Sequence, residues 1–430
     1  MSSGLLRSFA SGPTGIPGRL RVALILGALI ALGPLTIDTY LPALPRVGAD
    51  LQAAETTVQL TLTGTLLGLA LGQMLIGPLS DAWGRRLPLL AGTALHVLAS
   101  AAVAVAPSIE VLAVLRVLQG VGASAGAVVG LAVVRDLYTG RQGATMLSRL
   151  ILVMGAFPVI APTLGGFLLR WTSWRGVFLF LAVYGLVMLV VVTRGLPETL
   201  PANHRRSARL GPTLRTYGTL LRDRTFVGLV LVAGLAMAGL FSYVSGAAYV
   251  YQQQFGMDQQ TFGLLFGAGA VWLVIGTQLN PVFLRRYEPR RILTVAVLAG
   301  VAIGAVLFTL TATGTGGLPA LLAGVWALLL SAGFVLPNAP ALALARYGES
   351  AGTAAALLGA LQFGIGAATS PVVGVLGNDA WAMATSMFGA TALGALALLA
   401  VVRPWTLPDL GDDADTTDDE LDGDALPAAA

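Results

Sequence analysis

Long apolar runs alternate with short polar breaks along this 430-residue chain. A helix that crosses a bilayer needs about 20 mostly apolar residues. Runs of that length fall at 20–42, 56–79, 88–106, 110–134, 148–169, 174–194, 225–250, 261–283, 291–311, 318–344, 351–376 and 381–402. They predict twelve transmembrane helices. Spans 148–169 and 351–376 are the least hydrophobic and the richest in Gly and Pro. The first run also invites comparison with a cleaved signal peptide, because Arg19 and Arg21 precede it. It is long, however, it carries Pro34 and Asp38, and no small-residue cleavage site follows at the right distance, so it reads as the first helix.

Topology is written in the polar breaks. With the N-terminus in the cytoplasm, cytoplasmic segments hold 21 arginines, and periplasmic loops hold only Arg46, Arg170 and Arg175. Basic residues favour the cytoplasmic side, so both termini are expected inside. The longest internal break, 195–224, is basic and contains Pro197, Pro201 and His204. It separates an N-terminal bundle (20–194) from a C-terminal bundle (225–402), flanked by a cytoplasmic segment (1–19) and a tail (403–430). GPLSDAWGRRLPLL after the second run is echoed by NPVFLRRYEPRRILTV after the eighth. Pro78 and Pro281 lie about half a chain apart, the kind of internal repeat found in two-domain secondary transporters. The expected fold class is therefore an all-α membrane protein of two pseudo-symmetric six-helix bundles.

Composition narrows the chemistry. The chain is 56% hydrophobic and 11% charged, with mean hydropathy +0.81. Soluble domains carry about 25% charged residues, so lipid must be the solvent for much of this surface. There is no Cys, which excludes disulfides and thiolate chemistry, and two His make a histidine metal site a poor expectation. No metal or other cofactor is called for. Lys is absent, and the basic balance belongs to loop arginines facing anionic lipid rather than nucleic acid. Nine of the 21 acids lie between Asp409 and Asp424, so the tail is expected to be disordered. A single chain is expected to suffice, with membrane lipids, protons and small amphiphilic substrates as partners.

Charges inside the membrane cost about 2.5–3.5 kcal/mol each on insertion scales. Two need a reason. Asp38 lies about five turns into the first helix, in LTIDTYLPALP. It reads either as an interfacial acid near the periplasmic end or as a carboxylate facing a central cavity, able to take and release a proton. Pro34, one turn earlier, could open the backbone there. Arg116 lies early in the fourth helix. It reads either as a snorkelling helix-end arginine or as a buried partner of the first helix that tunes Asp38, with Gln119 on the same face. Residues 122–126, GASAG, match a nucleophile-elbow pattern, but they lie mid-helix with no suitable His, so close helix packing explains them better. The lack of a catalytic set points away from an enzyme.

GPLSDAWGRR resembles the signature loop between helices 2 and 3 of the major facilitator superfamily, on Gly77, Asp81, Gly84, Arg85 and Arg86. RVLQG, with Asp136 closing the helix, resembles the helix 4 motif of proton-coupled members. GAFPVIAPTLGG resembles the antiporter motif, on Pro158, Pro162, Gly165 and Gly166, and departs from it at Ala161. DTYLPALP, PNAPALAL and LQFGIGA are similar to the Bcr/CflA branch of drug–proton antiporters. Some related exporters carry a second acid two turns before the Asp38 position; here Ile30 stands there.

The resemblance implies proton-driven efflux of amphiphilic drugs, such as chloramphenicol- or bicyclomycin-like antibiotics, across a bacterial inner membrane. Asp38 and Arg116 would couple the proton. Asp81, Arg85 and Asp136 would form a charge cluster that latches the halves, with Asp81 approaching the start of helix 11 near Ser350. The helix 5 motif would bend and pack against helix 8. Substrate contacts should be apolar and aromatic with a few polar groups; the candidates are Tyr40, Gln119, Phe157, Tyr243, Phe266, Asn338, Gln362 and Phe363. The alternative is proton-coupled transport of a neutral metabolite on the same fold.

Overall fold

The computed structural model describes residues 18–205, 210–347 and 351–407. The acidic tail from 408 onward and Ser350 lie outside the described residues. Twelve described helices are long and apolar enough to cross a membrane. They are α1 (Arg19–Asp38), α2 (Glu55–Trp83), α3 (Arg86–Ala104), α4 (Ile109–Leu137), α5 (Gly140–Leu168), α6 (Trp174–Gly195), α7 (Arg224–Tyr249), α8 (Gln259–Phe283), α9 (Pro289–Ala312), α10 (Gly317–Leu344), α11 (Ala351–Thr369) and α12 (Ala380–Leu396). The polar breaks supply the caps. Ser108, Asp223, Asp258 and Asp379 accept from the first free amides of α4, α7, α8 and α12, and Pro289 opens α9 where no amide partner is needed.

Two spans and the central break differ from the sequence expectation. The first does not run unbroken to 42: α1 stops at Asp38, a turn follows, and the chain resumes as Leu41–Ala43 and Leu44–Asp50. Pro42 and Pro45 lack the amides that would carry the helix through, whereas Pro34 sits inside continuous helix. The eleventh breaks after Thr369, just before Pro371, and a short helix Val372–Val375 follows. The central break is not all loop, since it holds a helix at Leu210–Leu220. In addition, α7 and α12 end in π-helical turns, Val250–Gln254 and Ala397–Val402.

Packing repeats between the halves. The pair α2–α4 corresponds to α8–α10, α1–α5 to α7–α11, and α3–α6 to α9–α12. Lipid removes the hydrophobic drive between helices, so backbones must approach through small residues. A Cβ on Gly68 would lie 3.0 Å from Gly120 Cα and overlap the Val117 carbonyl. The second half repeats the device: a Cβ on Gly276 would lie 3.0 Å from Gly333 Cα and overlap the Leu330 carbonyl.

The two halves meet through α2–α11 and α5–α8. One apolar core draws from both halves, and it sits at the end away from the chain termini, where Tyr40, Val58, Phe178, Tyr249 and Met383 pack together. At the opposite, arginine-rich end the core splits into one cluster from each half. The molecule is thus sealed at the far end and parted at the basic end. Replacing Gly120 by Ala should destabilise the protein in detergent by about 1–3 kcal/mol through backbone overlap. Gly389, in α12, has open space around it, and Gly389→Ala should be neutral or slightly stabilising; equal losses in the two melting curves would contradict this packing scheme.

Candidate functional site

Asp38 is the last residue of α1, at the helix break, and is 6% exposed. Among the described residues no side chain forms an ion pair or hydrogen bond with it. The Leu41–Ala43 turn that follows it touches α7 and α8 of the other half, and Gln252 donates to its Pro42 carbonyl, so Asp38 sits by the seam between the halves. Gly165 of α5 lies against the turn just after it: a Cβ there would lie 3.1 Å from Thr39 Cα. The glycine keeps that space free and lets α5 hold the broken end of α1.

Arg116 is fully buried, which sets aside the snorkelling reading. Its Nη1 donates to the Thr36 carbonyl at 2.9 Å and to Gln119 Oε1 at 2.7 Å. The arginine therefore grips α1 two residues before Asp38, on backbone, and does not pair with the carboxylate itself. Its guanidinium lies 4.8 Å from the Tyr40 ring centroid and 5.4 Å from that of Phe178. Aromatic faces offset part of the desolvation of a buried cation. Gln119 passes the network on, donating to Ser100 Oγ at 2.8 Å. The Thr36 hydroxyl donates to the Leu32 carbonyl at 2.6 Å, so it accepts from His96 Nε2 at 2.8 Å. Thr36, His96 and Ser100 carried no motif in the sequence. Only their shared burial around α1 marks them as a unit.

The substrate candidates fall into separate groups. Tyr40 is buried against Phe178 and shares a hydrogen bond with Thr61. Gln119 uses both ends of its amide inside the N-terminal half, and Asn338 donates to Asn280 Oδ1 at 2.6 Å and to the Phe334 carbonyl inside the C-terminal half. Tyr243 and Phe266 stack at 4.7 Å with an interplanar angle of 10°. Phe157 on α5 and Phe363 on α11 are half-buried, and Phe363 faces Phe241 at 6.2 Å. Gln362 is 9% exposed on the same helix. The structure thus brings Tyr243 and Phe266 together and draws Gln119 and Asn338 into hydrogen bonds inside their own halves.

The seal at the far end is polar at its centre. Gln59 Nε2 of α2 donates to Asn378 Oδ1 at 2.6 Å and to the Ser245 carbonyl of α7 at 3.3 Å. Asn378 Nδ2 donates to Glu55 Oε2 at 2.7 Å. Gln252 reaches the Pro42 carbonyl, and Thr63 the Ala367 carbonyl. Along α5–α8, Thr163 donates to the Gly263 carbonyl, and a Cβ on Gly166 would lie 3.2 Å from Gln260 Cα. None of these polar partners was singled out from sequence, because single amides in apolar helices carry no spacing signal.

At the basic end the signature-loop residues cluster. Arg85 binds Asp81 Oδ1 at 2.5 Å, Asp136 Oδ2 at 2.8 Å and Ser80 Oγ at 3.0 Å. Arg86 donates to the Thr193 carbonyl at the end of α6. Gly77 leaves room toward Val128 of α4. Glu198, in the central break, was missed: its carboxylate accepts the Arg85 amide at 2.8 Å and the Arg86 amide at 3.1 Å, at the start of α3. Gly84 adopts φ +91°, and a Cβ there would lie 2.7 Å from Glu198 Cδ. Partial burial opposes ionisation of Glu198, but four backbone amides (of Leu200, Arg85, Arg86 and Thr199) outweigh it and hold the carboxyl below its usual range. Glu198→Gln should therefore cost about 1 kcal/mol, the scale of a lost helix cap, trimmed by partial exposure. The contribution is complete above the ordinary glutamate pKa and fades as pH falls through the lower folded-state value. Melting curves of wild type and E198Q should differ at neutral pH and converge in acid.

Sequence relationships agree with this architecture. The Major Facilitator Superfamily profile matches residues 24–371. An uncharacterized MFS-type transporter, YdgK, of Bacillus subtilis is 38% identical over 393 residues, 91% of this chain and 97% of its own. A bicyclomycin resistance protein homolog of Haemophilus influenzae is 29% identical over 83% of this chain and 89% of its own. A chloramphenicol resistance protein of Pseudomonas aeruginosa is 32% identical over 73% of this chain and 71% of its own. With its twelve spans and its signature loop, the chain belongs to the major facilitator superfamily.

Proposed function

We propose that this transporter exports amphiphilic drugs in exchange for protons across a bacterial inner membrane, with Asp38 as the proton carrier. The observation that carries the reading is an acid without a partner among the described residues, placed at a helix break on the seam of the two halves. Drug-resistance relatives support the substrate class. The arginine asymmetry supports a cytoplasmic location for both termini and the basic end. On that orientation the sealed end is periplasmic and the described state is open inward.

In this state an amphiphilic substrate enters between the halves from the cytoplasm or the inner leaflet. Phe157, Gln362 and Phe363 are our candidates to meet it in this state, and the buried pair Tyr243 and Phe266 are candidates once the far end opens, chiefly through apolar and aromatic contact. Rocking about α2–α11 and α5–α8 opens the far end. A periplasmic proton then neutralises Asp38 and favours release; return inward and loss of the proton restore binding. Arg116 positions the α1 break through the Thr36 carbonyl and keeps its charge away from the carboxylate. With the neutral form of a carboxylate in the membrane, one step of the cycle crosses without a buried charge, which lowers its barrier. One proton moving through 100 mV releases about 2.3 kcal/mol, enough for a substrate ratio of roughly 50-fold, since 1.36 kcal/mol is tenfold. A pH gradient adds to this.

Everted vesicles under an imposed pH gradient test the reading directly. Addition of chloramphenicol, bicyclomycin or a cationic dye should dissipate the gradient in wild type and not in Asp38→Asn. Export by D38N at the wild-type rate would remove Asp38 from the coupling step. A wild-type gradient insensitive to every drug in the panel, but dissipated by a neutral sugar or amino acid, would replace drug export by metabolite transport.

A further inference from the structure

The two halves are not symmetric at their outer faces. In the first half α2 and α3 pack on each other, whereas their counterparts α8 and α9 hardly touch. Beside this gap a groove of about 950 Å³ at the basic end runs along α9 over α10, with Phe283 at the end of α8 on its far side and the segment Pro404–Thr406 as a further wall. Ala299, Phe334 and Phe283 give it an apolar lining, while Tyr287, Arg291 and Trp405 stand at its mouth. Tyr287 is 49% and Trp405 66% exposed. Amphipathic aromatic rings of this kind collect at the headgroup level of a bilayer. From Arg291 to Ile303 the groove follows α9 for about 18 Å, at 1.5 Å per residue, the reach of most of an acyl chain.

Charge is concentrated at the same place. Arg285, Arg286, Arg290 and Arg291 lie within seven residues and share one acid, Glu288. Arg290 is structural: it donates to Glu288 and, at 2.6 Å, to the Leu407 carbonyl, which holds the Pro404–Leu407 wall in place. Arg285, Arg286 and Arg291 are exposed. An apolar groove that ends in clustered arginines at one membrane face matches the chemistry of an anionic phospholipid, with a tail to bury and a phosphate to neutralise.

From the groove, its aromatic mouth and this charge cluster, we infer that the cleft along α9 is a binding site for an anionic glycerophospholipid, one acyl chain lying along α9 and the phosphate on Arg291. Arg285 and Arg286 supply the surrounding positive field. The site is independent of the transport reading, since it lies on the outer face of the C-terminal half and away from Asp38. A lipid there lies beside the gap that the α2–α3 contact fills in the other half, and so braces α8 and α9 during rocking.

The full-length protein in non-ionic detergent provides the test, with melting temperature read against added phosphatidylglycerol, phosphatidylcholine or glycerol 3-phosphate. A ligand of the folded state raises the melting temperature with concentration. Phosphatidylglycerol should raise it by several degrees more than phosphatidylcholine, and glycerol 3-phosphate should leave it unchanged. Arg291→Gln should remove the preference, Arg291→Lys should keep part of it, and Ala299→Trp, on the exposed face of α9, should block the groove with the charge intact. Equal shifts from the two lipids would overturn the site. So would wild-type shifts in both R291Q and A299W, or a shift reproduced by glycerol 3-phosphate alone. Should R291Q fail to fold, A299W and R291K still decide between these results.

Discussion

The amide of Gln59 is the interaction on which the described state rests. It is fully buried, it belongs to one half, and it donates to Asn378 and to the Ser245 carbonyl of the other. Its nitrogen makes two bonds across the seam, while its oxygen is buried without a partner among the described residues; giving up those two bonds inside an apolar interface is costly, so they are kept until the interface opens. That favours two discrete arrangements over a graded one. With the far end sealed, the apolar cores of the halves merge there and part at the other end. The access route from the basic end follows from this closure.

The two membrane charges are handled in opposite ways. Arg116 is enclosed by a carbonyl, an amide and two aromatic rings, and its network reaches Thr36, His96 and Ser100 through hydrogen bonds inside one half. It is fixed to its bundle. Asp38, two residues along from its anchor, stands at the broken end of α1, just before the turn that touches the other bundle. On the proposed mechanism, a cation anchored to the backbone and not to the acid leaves the carboxylate free to change its protonation as the halves move. Had Arg116 paired with Asp38 directly, that pair would be hard to separate inside the membrane.

Much of this was legible in the sequence. Span lengths, the six-and-six echo and the motif glycines depend on local composition and spacing, which a chain states openly. Gly165 and Gly166 were marked as packing residues, and they lie against Thr39 and the start of α8. Arg85 was expected among Asp81 and Asp136, and it is bonded to both. The break at Asp38 was placed too early, at Pro34, because one proline can be absorbed in a helix while Pro42 and Pro45 together cannot. Gln59, Asn378 and Glu198 stayed hidden for a different reason. Their partners lie 319 residues away for the first pair and 113 for the Glu198–Arg85 contact, and nothing local signals such a meeting. Gln119 and Asn338 looked like ligand groups because polar residues in membrane helices often are; here they hold their own bundles together.

On the proposed mechanism, closure at the Gln59 end alternates with opening there during transport. The chain has no cysteine, so introduced thiols can be read without background. A Cβ at position 374 would lie 2.8 Å from Thr56 Cγ2, across the seam, and would overlap the flexible Gln59 amide oxygen, which must turn aside; Thr56→Cys and Gly374→Cys should then form a disulfide. Drug-dependent proton flux in vesicles should stop when the double variant is oxidised and return on reduction, with each single variant insensitive to both treatments. Undiminished flux in the fully cross-linked protein would show that the far end need not open, and the account would fail.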